Sequence, residues 1–219
     1  MCGRYTLSTP GERLGEVFGV EESLVLEPRF NIAPTQTAPV VVSGAAAVPE
    51  MRLLRWGLVP SWADDPSIGN RMINARGETV DEKPAYRDSF ATRRCLVLAD
   101  GFYEWRRVGR QKQPYFFSRG DGGPFAIAGI WARWTGGVEP HESFALLTTE
   151  ANETVAAVPP RMPVILGEVV WSSWLEGAAG EVPAHKQLLR PSPADLLTSW
   201  PVSTWVNSPA NDSSRCVEA

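Results

Sequence analysis

The chain has 219 residues, of which 43% are hydrophobic and 21% charged, and its formal net charge is −4. These values fit one globular domain with a substantial core, and no apolar run is long enough to cross a bilayer. The acidic balance argues against a nucleic-acid partner at first sight, although net charge does not exclude a local basic groove.

Three cysteines, Cys2, Cys95 and Cys216, form an odd set without metal-ligand spacing. That pattern argues against a disulfide framework and a zinc site, and it fits a reducing cytoplasm. No basic region followed by an apolar run opens the chain, so it does not read as a secretory signal. No cofactor or metal is expected. Nine tryptophans invite two readings, core packing and stacking platforms for bases or sugars.

In chain order, "STPGERLGEVFGV" predicts a first helix. Thr9 is placed as its cap and Pro10 at its first position, with Leu14, Val17 and Phe18 on one face and Gly19 as its end. The runs "APVVVS", "MRLLRWGL", "RCLVLADGFYEW", "QPYFFS", "PFAIAGIWARW" and "SFALLTT" predict strands punctuated by turn residues. Short helices are expected in "DEKPAYRDSFATRR", "LGEVVWSSWLEG" and "SPADLLTSW". Parallel βαβ alternation is absent. The pattern predicts an α+β fold with a curved, barrel-like and mostly antiparallel β core and a few short peripheral helices. Residues 1–212 are assigned to one domain and 213–219 to a polar tail. The segment after Asn207 is expected to be loosely held.

Cys2 follows the initiating methionine. Removal of Met1 would leave an α-amine and a thiol on one residue, with pKa values of about 7.7–8.0 and about 8.5. The amine can condense with an aldehyde, and the thiol can close a five-membered thiazolidine. Taken alone, an isolated cysteine is more often a small inert hydrophobe. Glu104, among Phe102, Tyr103 and Trp105, is either a solvated carboxylate or a desolvated acid/base. Arg161 in "PPRMPVIL" is either an ordinary surface arginine or a phosphate ligand. Asn31, Asn74 and Arg76 lie on short polar segments between apolar runs.

The blocks "MCGRY", "FNIAPTQ", "RWGLVPSWA", "INARGET", "RCLVLADGFYEW", "GIW", "TTEAN", "RMPVIL" and "VNSPAND" together resemble, in order, the SOS response-associated peptidase (SRAP) family. The resemblance implies an α+β domain that binds single-stranded DNA and cross-links to abasic sites through the N-terminal cysteine. It also implies self-removal of Met1, which accounts for the peptidase in the family's name, and a lyase-like activity. By this resemblance Cys2 is the nucleophile, Asn74 orients the cysteine or the opened sugar, and Glu104 is the acid/base. Arg4, Asn31, Arg76 and Arg161 fall where the family contacts DNA. Pro34 and Trp62 match residues that wedge near the lesion, and Trp105 flanks the site. The implied partner is single-stranded DNA with abasic sites, met by a cytoplasmic, nucleoid-associated monomer.

One position departs from the pattern. The family has a histidine two residues before the arginine of "RMP", and here Pro159 stands there. Proline carries no proton, so slower cross-linking and weak release or lyase activity are expected. His141 or His185 would have to compensate in space. Two other classes fit a terminal cysteine: an N-terminal-nucleophile cysteine hydrolase and a non-catalytic single-strand-binding paralogue.

Overall fold

Five strands close on themselves to form a barrel, as seen in a computed structural model that describes residues 2–109, 111–176 and 181–219. They are β3 (Thr37–Ser43), β4 (Pro49–Trp56), β6 (Arg94–Ala99), β9 (Phe125–Trp134) and β10 (His141–Glu150). Around the ring β4 pairs with β3, β3 with β6, β6 with β9 and β9 with β10. The ring closes between β10 and β4, which run parallel. Val40, Val41 and Val42, and all of β6, are buried, as expected of strands covered on both faces. Three short strands extend the barrel wall. β5 (Asn74–Arg76) and β11 (Arg161–Pro163) pair with β10, and β12 (Ile165–Leu166) pairs with β9.

A second sheet has the order β13 (Leu197–Pro201), β8 (Gln111–Arg119), β7 (Gly101–Val108), β1 (Arg4–Leu7) and β2 (Arg29–Ile32). Side chains alternate between its two faces. Tyr5, Leu7, Phe102, Phe117 and Leu197 join the barrel core, while Tyr103 and Phe116 pack under Val202, Val206 and Cys216 from the C-terminal segment. The expected run "RCLVLADGFYEW" is therefore two strands in two sheets. At its switch, a Cβ on Gly101 would lie 2.2 Å from the Phe116 ring, so only glycine fits. The peripheral helices are short: α1 (Gly11–Phe18), α2 (Arg87–Thr92), α3 (Glu153–Ala156), α4 (Trp171–Leu175) and α5 (Val182–Gln187). The α+β expectation holds.

Three local expectations need correction. Thr9 does not cap α1; its hydroxyl donates to Asp100 at 2.6 Å instead. Gly19 does end that helix, in the left-handed conformation that glycine tolerates. In "SPADLLTSW" only Ala194–Leu196 turns, and Leu197–Pro201 becomes β13 because the open edge of β8 offers it a ladder of hydrogen bonds. The segment after Asn207 is not loosely held. Asp212 accepts from the backbone N–H groups of Phe30 and Asn31 and pairs with Arg29, Trp200 Nε1 donates to the Val217 carbonyl, and Cys216 is buried.

Asp100 ties the strand switch to the N-terminal segment. Its carboxylate accepts from the backbone N–H groups of Ser8 and Thr9 and from both hydroxyls. Asp100→Ala leaves these donors unsatisfied. We expect a loss of about 2–4 kcal/mol, read as a melting temperature lowered by roughly 5–12 °C in a thermal melt.

Candidate active site

Cys2 lies two residues before the start of β1, and its side chain is fully buried against the barrel core. The thiol donates weakly to the Arg4 carbonyl at 3.7 Å. Asn74, at the head of β5, donates from Nδ2 to the Cys2 carbonyl at 2.7 Å, which fixes the backbone of the cysteine. The Asn74 Oδ1 is buried and has no hydrogen-bond partner among the described residues. β5 reaches this place because it runs parallel to β10, with Asn74 opposite Leu146, while the Tyr86 hydroxyl holds the Asn74 carbonyl at 3.3 Å.

Glu104 comes from β7, two residues after Phe102, and strand alternation turns it to the same barrel-facing side. It is 4% exposed. Burial raises its pKa above the ordinary carboxylate range. Burial also raises the Cys2 thiol pKa, and the neighbouring Glu104 carboxylate raises it further. The pair therefore favours a neutral thiol beside a carboxyl that retains its proton to higher pH.

A cleft of about 600 Å³ opens here, lined by Gly3, Arg4, Pro34, Glu104, Trp105, Lys112 and Asn207. Pro34 is carried on a strained turn. Thr35 has φ 74°, a left-handed conformation that is costly for a β-branched residue. The turn is held by Thr35 N–H on the Trp56 carbonyl at 2.8 Å and by Gln36 Oε1, which accepts from Ala33 N–H at 3.0 Å. Trp105 is fixed across the cleft by its Nε1 donating to Asn207 Oδ1 at 2.8 Å.

The family model described as SOS response associated peptidase (SRAP) matches residues 1–209. The chain belongs to the SRAP family. It is 36% identical over 224 residues to the abasic site processing protein YoqW of Bacillus subtilis (strain 168), covering 100% of both chains. It is 35% identical over 222 residues to the abasic site processing protein HMCES of Gallus gallus, covering 87% of this chain and 66% of that one. Among solved structures, a protein from Bacteroides thetaiotaomicron superposes with a TM-score of 0.88 at 25% identity, covering 99% of each chain.

The SRAP fold gathers Cys2, Asn74, Glu104, Arg4, Pro34 and Trp105 in or beside the cleft. Arg4 lines the cleft with its guanidinium committed to the protein itself, and the remaining expected residues lie outside the cleft lining. Arg4 spends its guanidinium on Asn31 Oδ1 at 2.8 Å and on the Val206 and Asn207 carbonyls at 2.8 and 3.0 Å. Asn31 is fully buried, and its Nδ2 faces the carbonyls of Val206, Ser208 and Asn211. These two side chains hold the C-terminal segment against the site, because a buried amide and a half-buried guanidinium need acceptors.

Arg76 and Arg161 meet on the two sides of Thr148 in β10. Arg76 is Thr148's partner in β5, and the Arg161 guanidinium donates to the Thr148 carbonyl at 2.8 Å. Arg161 also forms a salt bridge to Glu78 at 2.9 Å, whereas Arg76 is exposed. Trp62 is 54% exposed on the loop after β4, and its Nε1 reaches the Pro84 carbonyl at 3.4 Å.

Pro159 is buried just before β11. Neither histidine lines the cleft that holds Glu104 and Trp105. His185 packs against Trp174 with Nε2 at 2.9 Å from the Ser173 carbonyl, and His141 lines a separate cavity with Arg55 and Trp134. No cluster of potential metal ligands occurs among the described residues, and no helix is long and apolar enough to cross a membrane. Sequence reasoning missed Lys112 and Asn207 as cleft residues. Asn207 sits inside the "VNSPAND" block and could have been singled out, but Lys112 becomes visible only once the register of β7 and β8 is known.

Proposed function

We propose that this SRAP protein captures abasic sites in single-stranded DNA covalently through Cys2. The observation that carries the reading is the convergence of Cys2, clamped at its carbonyl by Asn74, with the buried Glu104 carboxyl at one cleft. The names of the relatives, abasic site processing proteins, supply the substrate class.

The chemistry requires hydrolysis of the Met1–Cys2 peptide bond, in which water gives methionine its carboxylate and Cys2 its α-amine. Met1 itself lies outside the described residues. An abasic deoxyribose is mostly a closed hemiacetal, so its aldehyde must first be released. A protonated Glu104 donates to the ring oxygen as the bond from C1 to that oxygen breaks, and the C1 hydroxyl gives its proton to water as it becomes the aldehyde, which suits a carboxyl whose proton burial retains. The Cys2 amine then adds to the aldehyde carbon, and loss of water gives the Schiff base. The thiol finally adds to the imine carbon, its proton passing to nitrogen, and closes the thiazolidine.

Burial of the thiol favours this order, because a neutral thiol is a poor first nucleophile and the amine leads. The unpartnered Asn74 Oδ1 is the acceptor available to orient the carbinolamine or the freed sugar hydroxyl. Thiazolidine closure competes with β-elimination, which would cut the strand, so the protein acts as a cap more than as a lyase.

A single-stranded oligonucleotide with one abasic site should give a slower band with the protein on a denaturing gel. Mass spectrometry of the purified chain should show Met1 gone. Intact strand binding without any covalent band would overturn the capture reading. Pro159 adds a second expectation, slow cross-linking with weak reversal. Pro159→His should raise both rates, and equal rates in the two proteins would show that the position does not set them.

A further inference from the structure

Most of the cations expected to hold the DNA backbone are already engaged. Arg4 is bound to Asn31 and two backbone carbonyls, and Arg161 to Glu78 and Thr148. Lys112 stands apart. It lines the same cleft as Glu104 and Trp105, it is exposed, and it has no ion pair among the described residues.

It belongs to the stretch "RRVGRQK", which holds Arg106, Arg107, Arg110 and Lys112 and no acidic residue. The β7–β8 register sets Arg107 directly opposite Lys112. Directly opposed side chains in an antiparallel pair share a face with Cβ atoms about 4.5–5.5 Å apart, and like charges there repel. Arg107 is likewise exposed and has no ion pair among the described residues, whereas Arg106 lies over the Tyr115 ring at 4.8 Å. Two opposed cations, without an ion pair among the described residues and one of them on the cleft wall, leave a place for an anion between them.

We infer that Lys112, with Arg107 across the hairpin, clamps a backbone phosphate of the strand entering the cleft. The inference rests on the single-strand reading above and extends it to residues outside the family's sequence blocks. Lys112 binds the ground state and plays no part in the covalent chemistry. It supplies the mobile charge that Arg4, fixed between Asn31 and the C-terminal segment, cannot turn toward a ligand.

The test uses the full chain and a single strand carrying a tetrahydrofuran abasic analogue, which has no aldehyde and cannot cross-link. Binding is followed by fluorescence anisotropy over a range of salt concentrations. Lys112→Ala should weaken binding by about threefold to tenfold at low salt. It should also reduce the slope of log affinity against log salt by about 0.7, the loss of one phosphate contact on a single strand. Arg107→Ala should move both quantities the same way, Lys112→Arg should retain both, and Arg13→Ala, on a distant helix, should change neither.

An unchanged affinity and slope would overturn the clamp while leaving Cys2 capture standing. A wild-type protein that does not bind the analogue strand would instead overturn the single-strand reading and the clamp with it.

Discussion

Cys2→Ala is expected to abolish the covalent adduct completely while leaving noncovalent strand binding within about twofold of wild type. The alanine retains an α-amine, so a Schiff base could still form, but it would remain hydrolysable without the thiol to close the ring. Borohydride trapping separates these steps. The Cys2→Ala chain should give a band only when the imine is reduced, and wild type should give one without reduction. The variant should fold normally, because removing one buried sulfur costs about 1–2 kcal/mol of packing and leaves the Asn74 contact to the backbone carbonyl intact. A stable adduct formed by Cys2→Ala without reductant would move the nucleophile elsewhere, and Lys112 would be the first lysine to examine.

Glu104→Gln is expected to slow cross-linking by about 10²–10⁴-fold, the range of a lost general acid. Glutamine keeps the size of the side chain but cannot give up a proton to the sugar ring oxygen. The pH profile identifies the step. In wild type the rate should pass through a maximum, because it needs the Cys2 amine without its proton and Glu104 with its own. The glutamine variant should keep the rising limb and lose the falling one.

The same substitution has an opposite effect on stability. The folded-state pKa of Glu104 is raised by burial, so the native state holds this proton more tightly than the unfolded chain does. The stability this contributes is present at low pH and is lost as pH rises through the folded pKa. Melting temperatures of Glu104→Gln should therefore gain on wild type as pH increases. A constant difference across that range would show that the carboxyl does not change its charge inside the fold.

Several elements were legible because their cause is local. The helix ending at Gly19 and the apolar strand runs were readable from spacing and turn residues alone. The run from Arg94 through Trp105 was readable as strand but not as two strands, because Asp100 and Gly101 carry no local sign that the chain changes sheets. The stretch "SPADLLTSW" has helix-compatible residues, and what makes it a strand is the free edge of β8, a partner remote in sequence. The tail after Asn207 is polar, which suggests mobility, yet its Ser208 and Asn211 carbonyls are acceptors that the buried Asn31 requires.

The amino-acid sequence by itself determined the family. The ordered motif blocks, a cysteine directly after Met1 and a proline at position 159 are facts of order that can be read without the fold. Only the tertiary structure decided which polar residues line the cleft. Burial and hydrogen bonding are long-range outcomes, so the fold directed Asn31 and Arg4 inward to hold the C-terminal segment, paired Arg161 with Glu78, and brought Lys112 to the cleft from a hairpin no motif marks.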